Sequence, residues 1–296
     1  MGGLKILLTG ANGFVGQNLL THLLPNYAVL GLQRTSPEHP YCLQVDYNDP
    51  TRLEAIFKSF HPDVVIHLAS NTSRTRAMHE LPTFIDANLH LTNQLLLAGI
   101  TLPQPPKFIF LSSAEVYGPQ TGCLDESTQT NPVSPYGISK VYAEQLLELY
   151  HRNYGIAVHV LRVFNAYGNG QDPGFFFADL MLAYRESKVF EMTGGEQKRD
   201  FIYIQDLVRA IEMFIHRPNL FECVNISSGI PISLAHVVEV FSEKVKGQLE
   251  VSKTLPYRAN EIWEISGNNS TLNGLGFNLL FSLEEGIEAM LGHEKV

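Results

Sequence analysis

The chain has 296 residues, of which 45% are hydrophobic and 17% are charged, and this composition excludes a disordered protein. No stretch reaches the roughly 18 consecutive apolar residues that a spanning helix needs, so we expect no membrane insertion. The formal charge of −9, from 21 basic and 30 acidic residues, disfavours nucleic-acid binding. The start of the chain lacks a signal-peptide pattern, and the three cysteines show neither disulfide nor zinc spacing. A cytoplasmic protein without a metal site is therefore expected.

Short apolar segments rich in β-branched residues alternate with amphipathic segments along the first half of the chain. The apolar segments predict strands at residues 5–10, 27–32, 63–69, 107–113 and 157–163. Helices are predicted near 14–24, 51–60, 84–99 and 136–154. Nearly continuous apolar strands separated by helices are typical of a parallel sheet covered on both faces. The predicted fold is α/β, with a doubly wound parallel sheet.

This alternation ends near residue 165, where a loop rich in glycine and phenylalanine begins. Helices are predicted near 178–187, 233–246 and 283–291, whereas a helix at 205–216 and a strand at 222–226 resemble a return to the first domain. We therefore predict a main domain of residues 1–164, to which 203–227 return. A smaller, interleaved C-terminal lobe comprises residues 165–202 and 228–296.

A glycine-rich segment, TGANGFVG, follows the first predicted strand directly and opens the first helix. Glycines at this spacing let the backbone approach a pyrophosphate, whose charge then meets the N–H groups and dipole of the helix N-terminus. At the first strand-to-helix junction the segment indicates a dinucleotide site rather than an ordinary turn, which makes the main domain a Rossmann domain. The expected cofactor-binding residues of this loop are Gly10, Asn12, Gly13, Phe14, Val15 and Gly16.

The end of the second predicted strand bears on cofactor choice. An acidic side chain there accepts a hydrogen bond from the ribose 2′-hydroxyl of NAD but repels the 2′-phosphate of NADP. This chain has Gln33 followed by Arg34. Because Arg34 can pair with a phosphate through two N–H groups, the sequence favours NADP, with NAD as the alternative. Asp46 is a candidate contact to the adenine amino group, although a turn or helix N-cap role is nearly as well supported.

The most informative feature is Tyr136, followed four residues later by Lys140 on a predicted helix, with Ser112 and Ser113 ending an earlier strand. A spacing of four places the tyrosine and the lysine on one helix face. A phenol with an ordinary pKa of about 10 is a poor acid–base catalyst at neutral pH, so we expect the Lys140 ammonium to lower the pKa of Tyr136. Ser113 would hydrogen-bond the substrate oxygen and polarise it for hydride transfer.

Together these motifs resemble the extended short-chain dehydrogenase/reductases, the nucleotide-sugar epimerase/dehydratase family. The resemblance runs through TGANGFVG, HLAS, SSAEVYG, SPYGISK, RVFNAYG, KRDFIYIQD and YRANE. It implies that Ser113, Tyr136 and Lys140 are catalytic at a sugar carbon, while a nicotinamide stores or donates hydride. It also implies a homodimer formed through the helices near 84–99 and 136–154. Further dinucleotide contacts are expected from Leu68, Ala69, Asn88, Tyr136 and Lys140.

The resemblance implies a nucleoside-diphosphate sugar as substrate, and two arginines supply a physical reason. Arg199 and Arg258 stand in polar segments that predict loops, where each guanidinium could bind a diphosphate oxygen. Asn165 would contact the same diphosphate, whereas a packing salt bridge of Arg199 with Asp200 is the alternative. Three aromatic residues are equally compatible with a base pocket and with core packing: Phe175, Phe176 and Phe177.

Three reactions are open: reduction of a keto-sugar, 4-epimerisation and 4,6-dehydration. Dehydratases of the family usually carry an acidic or hydroxyl residue and then a glutamate after the catalytic serine or threonine, and the corresponding residues here are Ala114 and Glu115. Dehydration is therefore least favoured, although Glu115 could still act as a base. Arg34 and a resemblance to GDP-4-keto-6-deoxymannose reductases favour NADPH-dependent reduction of a 4-keto-6-deoxy sugar. NAD-dependent 4-epimerisation is the alternative, and a nonenzymatic dinucleotide sensor is disfavoured because Tyr136 and Lys140 are both present.

Overall fold

A computed structural model describes residues 3–73, 75–258 and 261–292. The strands are β1 (Lys5–Thr9), β2 (Ala28–Gln33), β3 (Cys42–Gln44), β4 (Val64–His67), β5 (Lys107–Ser113), β6 (Gly122–Leu124), β7 (Val158–Val163), β8 (Asn165–Tyr167), β9 (Phe190–Glu191), β10 (Lys198–Tyr203), β11 (Phe221–Ile226), β12 (Pro231–Ser233), β13 (Val251–Ser252) and β14 (Ile265–Gly267). The α-helices are α1 (Phe14–Leu23), α2 (Pro50–Phe60), α3 (Leu81–Phe84), α4 (Leu91–Ile100), α5 (Pro135–Tyr154), α6 (Phe176–Arg185), α7 (Ile204–Ile215), α8 (Leu234–Lys244), α9 (Ser270–Gly274) and α10 (Leu283–Gly292). Short 3₁₀ helices span Met78–Glu80 and Ala114–Tyr117, and a π-helical segment, Ile85–His90, joins α3 to α4.

The chain forms two compact units. The first unit comprises Met1–Gly118, Gln129–Arg162 and Val208–Val224. The second unit comprises Pro119–Thr128, Val163–Leu207 and Asn225–Val296. None of the helices in residues 3–73, 75–258 and 261–292 combines the length and apolarity needed to cross a bilayer.

The main sheet has seven strands in the order β11-β7-β5-β4-β1-β2-β3. Strand β1 pairs in parallel with β2 on one side and with β4 on the other, so that Ile6 lies opposite both Val29 and Val64. The chain therefore winds outward in one direction from β1 to β3 and in the other from β4 onward. The predicted doubly wound fold is confirmed, and the carboxyl ends of β1 and β4 flank the point where ligands bind in such sheets.

The core of the first unit follows from the apolar strands and helix faces of the sequence. Strand β1 buries Ile6, Leu7 and Leu8 completely, and each such side chain contributes about 1.5–3 kcal/mol on burial. One large cluster packs against a face of the sheet and includes Leu53, Phe57, Val65, Leu95, Phe108, Phe110, Leu147 and Val160.

Helix α5, which carries the Tyr136 to Lys140 segment, has strong start and stop signals. The Ser134 hydroxyl caps its first turn by accepting a hydrogen bond from the Gly137 N–H at 3.0 Å, and Pro135 occupies the first helical position. The helix ends at Gly155, whose φ of 67° is the left-handed conformation that glycine adopts without strain. The predicted helix at 136–154 is confirmed within one residue.

The second unit contains short strands that the sequence pattern did not reveal. Strand β10 pairs in parallel with β8 and antiparallel with β12. Asp200 in β10 is fully buried and accepts hydrogen bonds from the backbone N–H groups of Ser228, Gly229 and Gly267 at 2.8 to 3.0 Å. This carboxylate therefore ties three segments of the unit together.

Candidate active site

The glycine-rich loop between β1 and α1 requires glycine at two positions. A Cβ on Gly16 would lie 2.0 Å from the carbonyl oxygen of Gly10, and a Cβ on Gly10 would lie 2.8 Å from the backbone nitrogen of Ala69. Gly10 also has a φ of +71°. Gly13 occupies the N-cap of α1 and has no side chain to satisfy the first N–H groups, so these groups can bind a pyrophosphate. The loop fits a dinucleotide on these grounds.

The remaining residues predicted in this loop lie at the same strand-to-helix junction. Phe14 and Val15 are the first two residues of α1, so their backbone N–H groups belong to the open helix terminus. The Asn12 side chain donates a 3.2 Å hydrogen bond to the Thr35 hydroxyl just beyond β2. This hydrogen bond joins the glycine loop to the end of β2. A dinucleotide bound at the loop would contact both segments.

The end of β2 carries the residues on which the NADP prediction rests. Gln33 is buried and donates to the carbonyl oxygens of Thr35 and Ser36 at 3.3 Å. Arg34 is exposed, and its carbonyl oxygen accepts a 3.0 Å hydrogen bond from Gln44. Asp46 accepts a 2.9 Å bond from the Asn48 N–H, which gives it a turn role. Contacts of Arg34 and Asp46 with a cofactor stay predictions.

Ser113, Tyr136 and Lys140 are all in the first unit, at the end of β5 and in the first turns of α5. The Tyr136 hydroxyl is hydrogen-bonded to Ser113. The Lys140 ammonium is buried, donates a 2.8 Å hydrogen bond to the carbonyl oxygen of Leu111, and lies 5.7 Å from the centroid of the Tyr136 ring. The three residues that the sequence predicted as catalytic are thus brought together.

The structure corrects the expectation that Lys140 lowers the pKa of the phenol. Burial raises the pKa of Tyr136 to about 12; the Ser113 hydrogen bond opposes this shift, and the Glu115 carboxylate adds to it. Burial also lowers the pKa of Lys140 to about 7, while the Glu144 carboxylate favours its charged form. Desolvation is therefore the largest influence on the pKa of both groups in the protein alone.

Glu115, the fourth predicted catalytic residue, takes part in local hydrogen bonds. Its N–H donates to the Ser113 hydroxyl at 3.2 Å, and its carboxylate accepts from the Ser134 hydroxyl at 3.4 Å. Ser134 is the N-cap residue of α5. Glu115 is exposed, so the geometry links it to the start of the catalytic helix, and its action as a base stays a prediction.

Asn88, predicted to contact the cofactor, lies in the π-helical segment and is buried. Its side-chain oxygen accepts from the Ser70 hydroxyl at 3.0 Å and from the Asn71 N–H at 2.7 Å, while its amide donates to Ser139 at 2.8 Å. These bonds hold the loop after β4 against α5. Leu68 and Ala69 lie in this loop, and the Ala69 backbone packs on Gly10. π-Helical segments are frequent at functional sites.

Sequence reasoning missed a buried ion pair that joins α5 to β7. The Arg162 guanidinium pairs with Glu144 at 2.7 Å and contacts the Tyr117 hydroxyl at 3.2 Å. The Ser112 hydroxyl donates to the other oxygen of Glu144. Two signals could have revealed it, because Glu144 follows Lys140 by one helical turn and Arg162 is a charged residue within an otherwise apolar strand.

The predicted substrate-binding residues Asn165, Arg199 and Arg258 belong to the second unit. Arg199 lies in strand β10, not in a loop, and it pairs with Glu261 at 2.6 Å and with the Ile262 carbonyl at 2.6 Å rather than with Asp200. The Asn165 amide donates to the Asp200 carbonyl at 2.9 Å. Arg258 is exposed in a loop, and two residues of the YRANE segment, 259 and 260, lie outside the described residues.

The predicted aromatic set divides between the core and its edge. Phe177 is buried and stacks on Tyr167 with ring centroids 4.1 Å apart. Phe176 meets Phe190 edge to face at 5.5 Å, whereas Phe175 is the N-cap residue of α6. Core packing therefore explains Phe177.

Residues 6–227 match the NAD dependent epimerase/dehydratase family, and this match covers more than half of the chain. The chain belongs to that family. It is an NAD(P)-dependent enzyme of the extended short-chain dehydrogenase/reductase type, as the resemblance implied. Solved structures similar to this chain hold nucleotide sugars, among them UDP-glucose and UDP-glucuronic acid, which belong to the substrate class that the sequence predicted.

Individual relatives show how this family divides. A Bacillus subtilis protein named uncharacterized UDP-glucose epimerase YtcB is 30% identical over 276 residues, covering 83% of this chain and 87% of its own length. The GDP-6-deoxy-D-talose 4-dehydrogenase of Aggregatibacter actinomycetemcomitans is 29% identical and covers 94% of each chain. The crystal structure of UDP-glucuronic acid 4-epimerase from Bacillus cereus, in complex with UDP-glucuronic acid and NAD, superposes with a TM-score of 0.86 at 28% identity and covers 99% of each chain.

Proposed function

We propose that this protein is an NAD-dependent 4-epimerase of a UDP-linked hexose. The comparisons support this alternative better than the NADPH-dependent keto-sugar reduction that the sequence favoured, because the Bacillus subtilis relative is named a UDP-glucose epimerase and the Bacillus cereus structure is that of a 4-epimerase. The 4,6-dehydration is less well supported, since Ala114 offers no acid beside the candidate catalytic serine.

The observation that carries the proposal is the hydrogen bond between Tyr136 and Ser113 above the buried Lys140. The Tyr136 hydroxyl is placed to exchange a proton with the 4-hydroxyl of the sugar, and Ser113 to hold the sugar oxygen as it becomes a carbonyl. Lys140 supplies positive charge beneath the phenol in its ammonium form. A nicotinamide dinucleotide held by the glycine-rich loop at Gly10, Gly13 and Gly16 would supply reversible acceptance of the C4 hydride and would bring a positive charge in its oxidised form.

The proposed reaction has a simple proton balance at Tyr136. Its phenolate takes the proton of the 4-hydroxyl when C4 is oxidised to the ketone and gives that proton back when the ketone is reduced. The phenol pKa of about 12 in the protein alone means that added positive charge is required for the phenolate to form. Ser113 already contributes in this direction through its hydrogen bond.

NAD is the proposed cofactor because an epimerase returns its hydride and needs no external supply of reduced dinucleotide. The related Bacillus cereus structure is in complex with NAD. Arg34 is the residue that argues for NADP, since it can pair with a 2′-phosphate. In the proposed epimerase Arg34 instead faces the solvent near the adenosine ribose.

The diphosphate of the sugar nucleotide is proposed to bind in the second unit. Arg199 presents a partly exposed guanidinium that is fixed by Glu261 and by the Ile262 carbonyl, and a fixed guanidinium loses little entropy on binding an anion. Arg258 is the second proposed cation. Asn165, whose amide is engaged with Asp200, is proposed to contribute through its exposed part.

The test combines cofactor identification with turnover. The purified protein is denatured, the released dinucleotide is identified, and intact protein is incubated with UDP-glucose without added cofactor while the proton at C4 is followed by NMR. We expect NAD in the released fraction and inversion at C4, with no turnover by Tyr136→Phe. Released NADP, together with consumption of NADPH on a GDP- or dTDP-linked 4-keto sugar and no inversion of UDP-glucose, would establish the reductase instead.

A further inference from the structure

A series of hydrogen bonds, of which two end on backbone carbonyl oxygens, crosses the first unit from β1 to α5. It begins with the Thr9 hydroxyl and His67 Nδ1, 2.8 Å apart, and continues from His67 Nε2 to the Thr92 hydroxyl at 3.0 Å. The Thr92 hydroxyl donates to the backbone carbonyl oxygen of Asn88 at 2.6 Å, and the side-chain amide of Asn88 donates to the Ser139 hydroxyl at 2.8 Å. Ser139 donates in turn to the Tyr136 carbonyl oxygen at 2.7 Å. We call this series the His67 chain.

All members of the His67 chain are buried, with exposed fractions between 0% and 2%. Buried polar groups are costly unless their partners are present, and a fully satisfied network fixes one arrangement of the elements it joins. The five side chains come from β1, β4, the π-helical segment, α4 and α5. The chain therefore joins elements that hydrophobic packing alone would leave free to slide by small amounts.

The direction of each hydrogen bond is determined by the groups at both ends. The Ala69 N–H donates to the Thr9 hydroxyl at 3.2 Å, so the Thr9 proton is available for His67 Nδ1. Thr92 gives its proton to the Asn88 carbonyl, so it must accept from His67 Nε2. His67 is thus a neutral imidazole with its proton on Nε2.

The two ends of the chain reach the two regions that the proposed reaction needs. Thr9 directly precedes Gly10, and the Ala69 backbone that bonds to Thr9 packs against Gly10. At the other end, Ser139 holds the carbonyl of Tyr136 itself. One network therefore links the backbone of the glycine loop to the backbone of the candidate catalytic tyrosine.

We propose that His67 is a positioning residue, which together with Thr9, Thr92, Asn88 and Ser139 sets the distance between the dinucleotide loop and Tyr136. A histidine suits this place because its two ring nitrogens accept at one side and donate at the other across a rigid ring. A shift of about 1 Å between reacting groups can cost on the order of 100-fold in rate. The chain carries no reacting group and contributes by fixing geometry.

The charge state of His67 is set by its surroundings. Burial, with a smaller contribution from the positive charge of Lys140, lowers the pKa of His67 to about 3. Phe110 contacts both groups, with its ring centroid 5.4 Å from that of His67 and 4.6 Å from the Lys140 ammonium. The other side chains of the His67 chain are uncharged, so His67 stays neutral at physiological pH. They are Thr9, Thr92, Asn88 and Ser139.

The decisive experiment is a double-mutant cycle on the two ends of the chain. Thr9→Val and Ser139→Ala each remove one hydroxyl. Within the His67 chain, three other members lie between these two residues. If the His67 chain acts as one unit, each single variant lowers kcat about tenfold and the double variant lowers it by little more. The reason is that loss of either hydroxyl already frees the distance between the glycine loop and Tyr136. The KM for UDP-glucose should change less than about twofold. Multiplicative losses, about 100-fold in the double variant, would overturn the proposal.

Substitution of His67 itself provides a rescue test. His67→Gln retains an acceptor and a donor at similar separation, whereas His67→Leu retains neither. We expect His67→Gln to keep most of the wild-type kcat and His67→Leu to lose about tenfold or more. Equal losses in the two variants would contradict the proposal. Thr21→Val is the control for the loss of a helical threonine hydroxyl. The Thr21 hydroxyl donates to the backbone carbonyl of Gln17, four residues earlier in an exposed part of α1, as Thr92 does to Asn88.

The kinetic readout rests on the proposed function, but the chain can also be tested without it. If wild-type protein does not invert UDP-glucose, the proposed function fails, and the same cycle is then measured on the dissociation constant for NAD. We expect each single variant to weaken NAD binding about fivefold, with no further loss in the double variant. Unchanged NAD affinity in both single variants, or multiplicative weakening, would overturn the inference independently of the reaction.

Discussion

The two units of the molecule hold their candidate functional groups in different ways. In the first unit, Ser113, Tyr136 and Lys140 stand on long regular elements, and a satisfied buried network lies beneath them. In the second unit, Arg199 lies near the start of strand β10, where Glu261 holds its partly exposed guanidinium, and Arg258 is an exposed loop residue. The groups proposed for proton transfer are thus held on regular elements over a buried network, whereas the proposed anion contacts comprise one guanidinium held by an ion pair and one in an exposed loop.

The largest effect is expected for Tyr136→Phe. This change removes the proton-transferring hydroxyl, and we expect kcat to fall by about 10³-fold or more. NAD affinity should remain within about twofold, which a fluorescence titration measures. Tyr142→Phe, an exposed position on the same helix, is the control and should be fully active. Retention of a tenth of the activity by Tyr136→Phe would refute its catalytic role.

Gly16→Ala is expected to abolish dinucleotide binding. Its Cβ would lie 2.0 Å from the Gly10 carbonyl, so the loop must move, and we expect affinity for NAD to fall about 100-fold or more. Calorimetric titration with NAD measures this directly. The control is Gly274→Ala, where a Cβ meets no atom within 4 Å. Equal NAD affinities in the two variants would separate the loop from the cofactor site.

Arg199→Met tests the proposed anion site of the second unit. We expect the KM for UDP-glucose to rise about tenfold with kcat within about twofold, because the lost contact is made equally by substrate and transition state. Lys198→Met removes the neighbouring cation, which pairs with Glu264 at 2.9 Å, and should leave KM unchanged. Steady-state kinetics on both variants measures the KM for UDP-glucose and kcat. Similar KM changes in the two would indicate a general charge effect instead.

A separate effect, on stability rather than on catalysis, is a pH dependence that comes from His67. Its pKa is about 3 in the folded protein, against about 6.5 in an unfolded chain. Between these values the unfolded chain binds a proton that the folded one does not, so stability falls as the pH drops, by up to about 1.4 kcal/mol per pH unit. Urea unfolding between pH 4 and pH 7 should show this slope reduced in His67→Gln and unchanged in His79→Gln, an exposed position. An identical slope in wild type and His67→Gln would contradict a buried neutral histidine.

The first unit was predictable because its signals are local. The apolar run at 107–113 coincides with β5, and the capped helical pattern of 136–154 coincides with α5 to within one residue. The seven-residue apolar segment and the helical period decide such elements before any tertiary contact forms. The placement of Ser113, Tyr136 and Lys140 followed from these two elements.

The features that could not be predicted depend on distant partners. His67 bonds to Thr9 and Thr92, which are 58 and 25 positions away, and no local pattern marks such a pair. Strand β10 begins with three charged residues and was interpreted as a loop, yet Asp200 finds its partners in segments near 228 and 267. The raised pKa of Tyr136 likewise depends on burial, which the spacing to Lys140 does not reveal.

UDP-glucose that carries deuterium at C4 shows whether hydride that leaves C4 of a UDP-hexose returns to the same carbon. The protein is incubated with this substrate in unlabelled water without added dinucleotide, and the product is examined by mass spectrometry and NMR. We expect an inverted product that retains deuterium at C4. Inverted product with hydrogen at C4, or label transferred to a released dinucleotide, would contradict it.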